Sequence, residues 1–507
     1  MSNEIQADYC MRFILPPAIE DWVPRDHIAR FICAVVDKLD LKGLGFKERK
    51  SEEGRPNYSS SLLLKIWLYG YLENIYSTRA LEKSCTKEMP LIWLTGMNYP
   101  DHNTLWRFFK SHQEAIKKVF VQSVKLAVKG GMVSLALQAV DGTKIAADVN
   151  KNKTVYLSDL KKLLSALESS VDEVLEKIAG KEASEVDAAS YTLPIEYQDK
   201  RALNRLIEKG LEELSPDKRQ ELSRGIQSEI KKLEDAGANQ LNLTDRDARQ
   251  MKKADGKTSF CYNAQAVVDS KSQIIVGALV SGDATDNHLL TSMIDESAQN
   301  TGKVCGETLA DGGYFSGEEL QAAVNKGYEV LVNMRDEIKG TSGNRETVTG
   351  EEGNVSRFEK ASFFYDQEKD VYICPAKQEL KFEQEKLNSS KTYLVRTYRC
   401  HNHTCPYKDQ CSKQKRGRGI ERSQYETALA AQIQRHGSSE NRALLRKRKH
   451  IVEPVFGWIK SNNKFTRWLY RGLKSVEAQW MIICTAVNLK KIFKSWQAGT
   501  LLFEISV

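Results

Sequence analysis

The sequence predicts a mixed α/β protein, in which a sheet domain follows a helical N-terminal region and is interrupted by two insertions. Apolar residues recur at three- and four-residue spacing in residues 1–133 and again from about Leu157 to Gln250, which is the period of an amphipathic helix. Alternating and β-branched segments occupy residues 134–146 and 259–334, as in strands. Four clustered cysteines mark the second insertion.

Charge is concentrated in one segment. The chain has 507 residues and a net charge of +8. Residues 441–474 contain ten Lys or Arg and the single acid Glu453, a charge of 10 − 1 = +9, so the remaining residues sum to about −1. A local basic patch of this kind binds polyanions, and no lipidation signal or amphipathic membrane helix accompanies it. Nucleic acid is therefore the expected partner.

The expected location is the cytoplasm, in association with the nucleoid. The first residues lack a basic start followed by an apolar core, which a secretory signal would have. The longest apolar runs, IIVGALV and WMIICTAV, are far shorter than the roughly 20 residues that span a bilayer.

The N-terminal region reads as short helices joined by turns, a pattern compatible with a DNA-binding helical module. In the run YPDHNTLWRFF, Asp101 or Asn103 is a candidate N-cap for a helix that carries Arg107 and Lys110. A helical packing domain without a ligand fits the same pattern.

Two aspartates follow predicted strand residues. SLALQAVDGTKIAADV predicts a strand with Asp141 at its C-terminal end, and GETLADGGYF predicts one that ends on Asp311. An acid in that position can point out of a sheet into a cleft. Asp-Gly is also an ordinary turn signal, so each aspartate alone could be a turn residue.

The helical segment 151–255 is predicted to be an insertion in the sheet domain, either a coiled-coil partner surface or a solvated structural hairpin. Outside it, the element order is strand, strand, strand, helix, strand, helix, strand. This is the order of a ribonuclease-H-like mixed sheet, in which the first and fourth strands lie side by side. Asp141 and Asp311 are then expected to meet, with a third acid coming from a later helix.

The basic segment is predicted to be helical and to supply that acid. Steps of about 100° per residue place Arg446, Lys449, Glu453 and Lys460 on one arc and apolar residues on the adjoining one. Pro454 disfavours helix geometry at Glu453, so the helix is expected to kink or begin there. The alternative is a solvated basic helix in which Glu453 pairs with Lys449.

The segments AVDGTKIAA, TLADGGYFSGEEL and RKHIVEPVFGWIK resemble the three acidic motifs of insertion-sequence DDE transposases, enzymes of bacterial mobile elements. The resemblance implies Asp141, Asp311 and Glu453 as metal ligands, with Lys449, Glu453 and Lys460 matching the third motif. Arg446 stands where some relatives have Tyr. Two Mg²⁺ ions, with Mn²⁺ as a substitute, would serve in-line phosphodiester displacement, and hard cations of this kind prefer carboxylate oxygens.

The resemblance implies double-stranded DNA as a partner, both the element's terminal inverted repeats and the target DNA. It also implies assembly with further copies of the chain, as a homodimer or a larger oligomer. The implied activity is cleavage and strand transfer. Two other functions stay open: a transposase-derived DNA-binding protein that no longer cuts, and a metal-dependent nuclease without strand transfer.

Cys374, Cys400, Cys405 and Cys411 resemble the ligands of a zinc knuckle or ribbon, without the usual Cys-x2-Cys pairs. His401 and His403 are alternative ligands. An iron–sulfur or redox role and unligated thiols remain alternatives, whereas disulfides are disfavoured in a reducing cytosol.

These patterns divide the chain into an N-terminal domain, a discontinuous core, two insertions and a tail. The predicted bounds are 1–133 for the probable DNA-binding domain, 134–150, 256–340 and 423–490 for the core, 151–255 for the helical insertion, 341–422 for the Cys-cluster insertion and 491–507 for the tail.

Overall fold

The computed structural model describes residues 18–47, 57–165, 216–334 and 358–503, apart from positions 236, 254, 359, 389–392, 403, 413 and 415. Within these residues the protein is mixed α/β, with a helical N-terminal region and a curled mixed sheet, as predicted. No helix in the described ranges is long and apolar enough to cross a membrane.

Short helices make up the N-terminal region. Polar side chains cap several of them: Ser59 accepts from the Leu62 amide, and Asp101, one of the two predicted caps, accepts from the Thr104 amide. Such caps satisfy amide groups that have no partner in the first helical turn. The helices are α1 (Ile28–Asp37), α2 (Leu41–Leu44), α3 (Ser60–Leu72), α4 (Thr78–Ser84), α5 (Met89–Leu94), α6 (His102–Ser111) and α7 (Gln113–Lys129).

The central sheet contains β1 (Leu137–Ala146), β4 (Arg249–Lys252), β5 (Thr258–Asp269), β6 (Ile275–Ser281), β7 (Glu307–Ala310) and β8 (Val330–Val332). β1 is antiparallel to β5 and parallel to β7, and β7 is parallel to β8. β5 pairs with β1 along one edge and with β6 and β4 along the other. The predicted first and fourth strands, β1 and β7, are therefore neighbours, so this expectation is confirmed.

Two details of the sequence prediction are wrong. Asp141 is not at the end of its strand, because β1 continues through Gly142 to Ala146 while paired with the long β5. The helical pattern does not extend to Gln250 either: β4 pairs with the first part of β5, and β2 (Thr154–Tyr156) pairs with β3 (Gln240–Asn242). Cross-strand pairing outweighed local periodicity at these positions.

Two helical pieces of the predicted insertion are described. Residues 157–165 are helical, and α8 spans Pro216–Asp235. Apolar side chains from both pieces and from β2 and β3 share a small core of their own, with Leu160, Leu163, Leu222 and Ile226 almost fully buried. Residues 166–215 of this segment lie outside the described residues.

Helices α9 (Leu290–Thr301) and α10 (Gly317–Asn325) follow β6 and β7, as predicted. A second sheet forms in the cysteine-bearing region, and its core is largely aromatic. Its elements are β9 (Phe364–Asp366), β10 (Val371–Ile373), β11 (Glu379–Leu387), β12 (Leu394–Arg399), the short α11 (Lys408–Cys411) and β13 (Gly419–Ser423). The strands are antiparallel throughout, in the order β13-β12-β11-β10-β9.

The C-terminal part consists of α12 (Glu426–Gly437), α13 (Ser439–Gly457), a π-helical turn (Trp458–Asn462) and α14 (Leu473–Gln497). The long α14 packs on α3 and α7 of the N-terminal region and on β6 of the central sheet. It is buried along most of its length, so one helix joins the two regions in a common core.

Pro454 lies inside α13, which begins far upstream at Ser439, so of the two alternatives expected at Glu453, a kink or a helix start, the helix start is excluded. Proline has no amide proton to donate to the carbonyl four residues earlier, which belongs to His450. The side-chain amide of Gln273 donates to that carbonyl at 2.9 Å instead. A long-range contact thus supplies a hydrogen bond that the helix itself lacks.

Candidate active site

Asp141 and Asp311 lie at one edge of the central sheet. The parallel pairing of β1 with β7 ends at Val140 and Ala310, one residue before each aspartate. Because parallel strands run in the same direction, both acids emerge where the pairing stops. Their side chains are 24% and 47% exposed, so both carboxylates are reachable from solvent.

Arg448 of α13 lies between these carboxylates. Its Nη1 is 3.1 Å from Oδ2 of Asp141, and its Nη2 is 3.3 Å from Oδ1 of Asp311. Its side chain is only 8% exposed. The sequence pattern did not single out this residue within the basic run, although it precedes the buried Val452 and Val455 by one and two helical turns and so shares their face.

The environment of Asp141 disfavours its charge. Burial raises the pKa of Asp141 above its usual value, and the charge of Asp311 raises it further. The Arg448 guanidinium and the Gly142 amide, which donates to Oδ1 at 2.9 Å, lower the pKa without cancelling the effect of burial. Two close carboxylates repel each other, and a cation between them relieves the repulsion.

Glu453 lies on the same helix but on another face. It is exposed, as are Arg446 and Lys449, whereas Val452 is buried. No hydrogen bond or ion pair joins Glu453 to another described residue. The predicted apolar face of the helix is confirmed, since Val452, Val455, Phe456 and Ile459 are buried.

Lys460 follows in the π-helical turn and is partly buried. Burial lowers its pKa, and the nearby charge of Asp141 opposes that shift. The extra residue per turn of a π-helix moves Lys460 out of the regular phase of α13, and Lys460 is partly buried whereas Arg446 and Lys449 are exposed.

A buried polar network supports both aspartate motifs, and sequence analysis missed it. Gln265 on β5 donates from Nε2 to Oδ1 of Asp286 at 2.7 Å and accepts a hydrogen bond from the Tyr314 hydroxyl. The Gln265 amide lies so close to Gly142 that a Cβ there would be 2.1 Å from Nε2. A Cβ on Gly313 would similarly be 3.0 Å from Oδ2 of Asp286. Gly142 and Gly313 leave room for the network beside each motif.

The other predicted nucleic-acid contacts lie on α6. Arg107 and Lys110 are exposed, and Nζ of Lys110 donates to Oγ of Ser475, the third residue of α14, at 3.2 Å. Lys110 therefore lies where the N-terminal region meets the C-terminal helix, with Arg107 about one turn earlier on α6, and neither side chain forms a hydrogen bond or ion pair with Asp141 or Asp311.

The four clustered cysteines lie at one end of the small sheet. Cys374 begins a tight turn in which Lys377 has a φ of 58° and the Gln378 amide donates to the Cys374 sulfur at 3.3 Å. Burial raises the pKa of Cys411, Arg418 lowers it, and Cys374, Cys400 and Cys405 raise it again. The Cys411 thiol thus lies near enough to the other three for them to influence its pKa. His401 is exposed, and His403 lies outside the described residues.

No three His, Cys, Asp or Glu side chains in the described ranges are arranged to hold a metal ion, either at the cysteines or at the sheet edge. The residues at the sheet edge nevertheless have the chemistry that a hard cation requires. Asp141 and Asp311 offer carboxylate oxygens from two strands, and these oxygens already share one cationic partner.

The fold and this site define an α/β protein with paired carboxylates on adjoining parallel strands, next to a basic helix. Comparison with protein families gives a match to a transposase DDE domain over residues 373–493 and to the DUF772 transposase domain over residues 17–111. These two matches indicate an insertion-sequence DDE transposase, in agreement with the motif resemblance. The comparison with curated proteins gives no match.

Proposed function

We propose that this transposase binds the terminal inverted repeats of its mobile element and catalyses metal-dependent DNA cleavage and strand transfer. The observation that carries the proposal is the pair Asp141 and Asp311 at one sheet edge, around a shared cation. The strand order β6-β5-β1-β7-β8, with its antiparallel and parallel pairings, supports a ribonuclease-H-like core.

In this proposal Asp141, Asp311 and Glu453 would hold two Mg²⁺ ions, which Mn²⁺ could replace. Bound metal ions would supply positive charge that activates the attacking oxygen and stabilises the leaving oxygen of a phosphodiester. The strands β1 and β7 fix the first two carboxylates relative to each other, and α13 carries the third. Burial raises the pKa of Asp141, and the charge of Asp311 adds to that shift. The repulsion between the two carboxylates supports cation binding, because a cation lowers their free energy.

Basic side chains would hold the DNA around these acids. Lys460 is partly buried near Asp141 and would neutralise charge on the scissile phosphate. Arg446 and Lys449 are exposed on the helix of Glu453 and would contact backbone phosphates. Arg107 and Lys110 on α6 would contact the terminal repeat, with the N-terminal region as the end-binding domain.

A structural zinc ion at Cys374, Cys400, Cys405 and Cys411 is also proposed. The influence of Cys374, Cys400 and Cys405 on the pKa of Cys411 supports it, because structural zinc is commonly held by four cysteine thiolates. Assembly of two or more chains on DNA is proposed as well, since a transposase of this kind must act on both ends of one element.

The test uses Asp141→Asn, Asp311→Asn and Glu453→Gln, which keep the side-chain shape and remove the charge. Each should abolish nicking and joining of terminal-repeat DNA in Mg²⁺, while DNA binding in a gel shift persists because it depends on Lys and Arg contacts. The matched control is Asp295→Asn on α9. It removes the charge of a partly exposed acid that pairs with Lys326, the residue after α10.

Each outcome has a defined meaning. Near-normal cleavage by one of the three amide variants would show that this residue is misassigned. Cleavage without joined products in the wild-type protein would indicate a nuclease without strand transfer. Binding of terminal repeats with neither cleavage nor joining would indicate a DNA-binding protein that no longer cuts.

A further inference from the structure

Arg448 differs from every other basic residue of its segment. Of the ten Lys and Arg residues in 441–474, all of which are described, Arg448 alone is buried. The adjacent Lys447 and Lys449 are exposed on the same helix. A general electrostatic role in attracting DNA would not require burial, so the burial of Arg448 needs a separate explanation.

The burial of Arg448 is stabilised by the two carboxylates. A guanidinium withdrawn from water is unfavourable unless anions compensate its charge. Asp141 and Asp311 supply that compensation at 3.1 and 3.3 Å. The helix face carrying Arg448 packs on β1, β5 and β7, so the position of the guanidinium follows from the fold and not from a flexible surface contact.

The contact with Asp141 is close but not a well-directed hydrogen bond. Nη1 of Arg448 is buried and makes no hydrogen bond of acceptable geometry, although it lies 3.1 Å from the Asp141 carboxylate. Charge attraction therefore holds this side of the guanidinium. An ion pair without a well-directed hydrogen bond loses less favourable interaction energy when a competing cation replaces one partner.

We propose that Arg448 is an internal counter-cation of the Asp141–Asp311 pair, and that a divalent metal ion competes with its guanidinium for these carboxylates. The inference rests on the metal-binding role proposed above. Metal binding then releases the guanidinium, which is free to meet a DNA phosphate near the same sheet edge.

The competition makes the binding of metal and DNA cooperative. A phosphate that attracts the Arg448 guanidinium draws it away from the two carboxylates. Binding of a metal ion to these carboxylates is then more favourable. By thermodynamic linkage, the metal ion strengthens phosphate binding by the same factor. A metal ion would then bind weakly to free protein and more tightly to the DNA complex, which limits cleavage to bound DNA.

The experiment measures Mn²⁺ affinity of the full-length protein without DNA, by electron paramagnetic resonance of free Mn²⁺. Arg448→Met removes the competing charge and keeps an unbranched side chain of similar length, and it should tighten Mn²⁺ binding about 10-fold. Lys447→Met on the same helix is the matched control, because it removes an exposed charge that touches neither aspartate. It should change the affinity much less.

Two further measurements keep the inference testable if Arg448→Met fails to fold. Arg448→Lys retains the charge on a shorter side chain without the planar fork, and it should give an affinity between those of the wild type and Arg448→Met. A short DNA duplex of arbitrary sequence should tighten Mn²⁺ binding in the wild type, and this gain should shrink in the Arg448 variants.

Arg448 variants that match the Lys447 control in Mn²⁺ affinity would overturn the inference and leave Arg448 as a structural ion-pair partner. The proposed function is tested separately by Asp141→Asn and Asp311→Asn in the same assay. Loss of Mn²⁺ binding in these variants supports the metal site whatever the Arg448 variants do. Retained binding in both would refute the metal site itself.

Discussion

Gln265→Met tests whether the polar network beside the two aspartates positions them. Gln265 is fully buried on β5, and its amide connects Asp286 with the Tyr314 hydroxyl. Methionine has nearly the same length but no hydrogen-bonding atoms of comparable strength. The substitution therefore removes both contacts while it fills most of the same space.

The expected loss in free energy of unfolding follows from the two polar groups that lose Gln265 as their partner. A buried hydroxyl without a partner costs about 1–3 kcal/mol, and a lost hydrogen bond to a carboxylate costs about 1.5–3 kcal/mol. We expect the free energy of unfolding to fall by about 3–5 kcal/mol in total. Asp286 still accepts a hydrogen bond from Nδ2 of Asn263 at 2.7 Å, so its carboxylate keeps one hydrogen-bond partner.

Activity should fall as well, because the network touches the glycines that follow both acids. Gln265 lies against Gly142, and Asp286 lies against Gly313. A shift of about 1 Å between reacting groups can cost about 100-fold in rate. DNA cleavage by Gln265→Met should therefore decrease by about that factor at a temperature where the variant is still folded.

A double-mutant cycle with Tyr314→Phe measures the coupling. Tyr314→Phe removes the hydroxyl that Gln265→Met leaves unsatisfied, so the double variant should be about 1–2 kcal/mol more stable than the sum of the two single effects predicts. Unfolding free energies come from urea titration of metal-free protein. Tyr328→Phe is the control, since its hydroxyl donates to Asp295 at 2.6 Å in a partly exposed pair away from the network. Additive effects of Gln265→Met and Tyr314→Phe would refute the reasoning.

Two other predictions concern Lys491 and the cysteines. Burial, and then the charge of Lys494, lower the pKa of Lys491 from 10.5 to about 8. As the pH rises, the folded state loses this proton before the unfolded state does, so the free energy of unfolding should rise between about pH 8 and 10.5. Lys491→Met should stabilise the protein at pH 7 and flatten that rise, as measured by urea titration at each pH. An unchanged pH dependence in Lys491→Met would contradict this. Cys405→Ser should lower the zinc content from about one ion per chain in elemental analysis, whereas Cys33→Ser on α1 should not. Zinc-free wild-type protein would exclude the site.

Local sequence patterns were sufficient for much of the architecture. The N-cap Asp101, the helix that follows it and the apolar face of α13 each depend on residues within a few positions of one another. The adjacency of β1 and β7 was also predictable, because the order of strands and helices restricts the sheet arrangements that a chain can form.

The tertiary structure alone decided the immediate surroundings of the two aspartates. Arg448 is 137 residues from Asp311 in the chain, and no local pattern specifies which of several basic residues on a helix will face a particular carboxylate. Likewise, Gln265 and Asp286 form one network only because β5 and the segment after β6 meet beside Gly142. Helical and strand periodicity report which face of an element is buried, whereas partners across the core depend on how the elements pack.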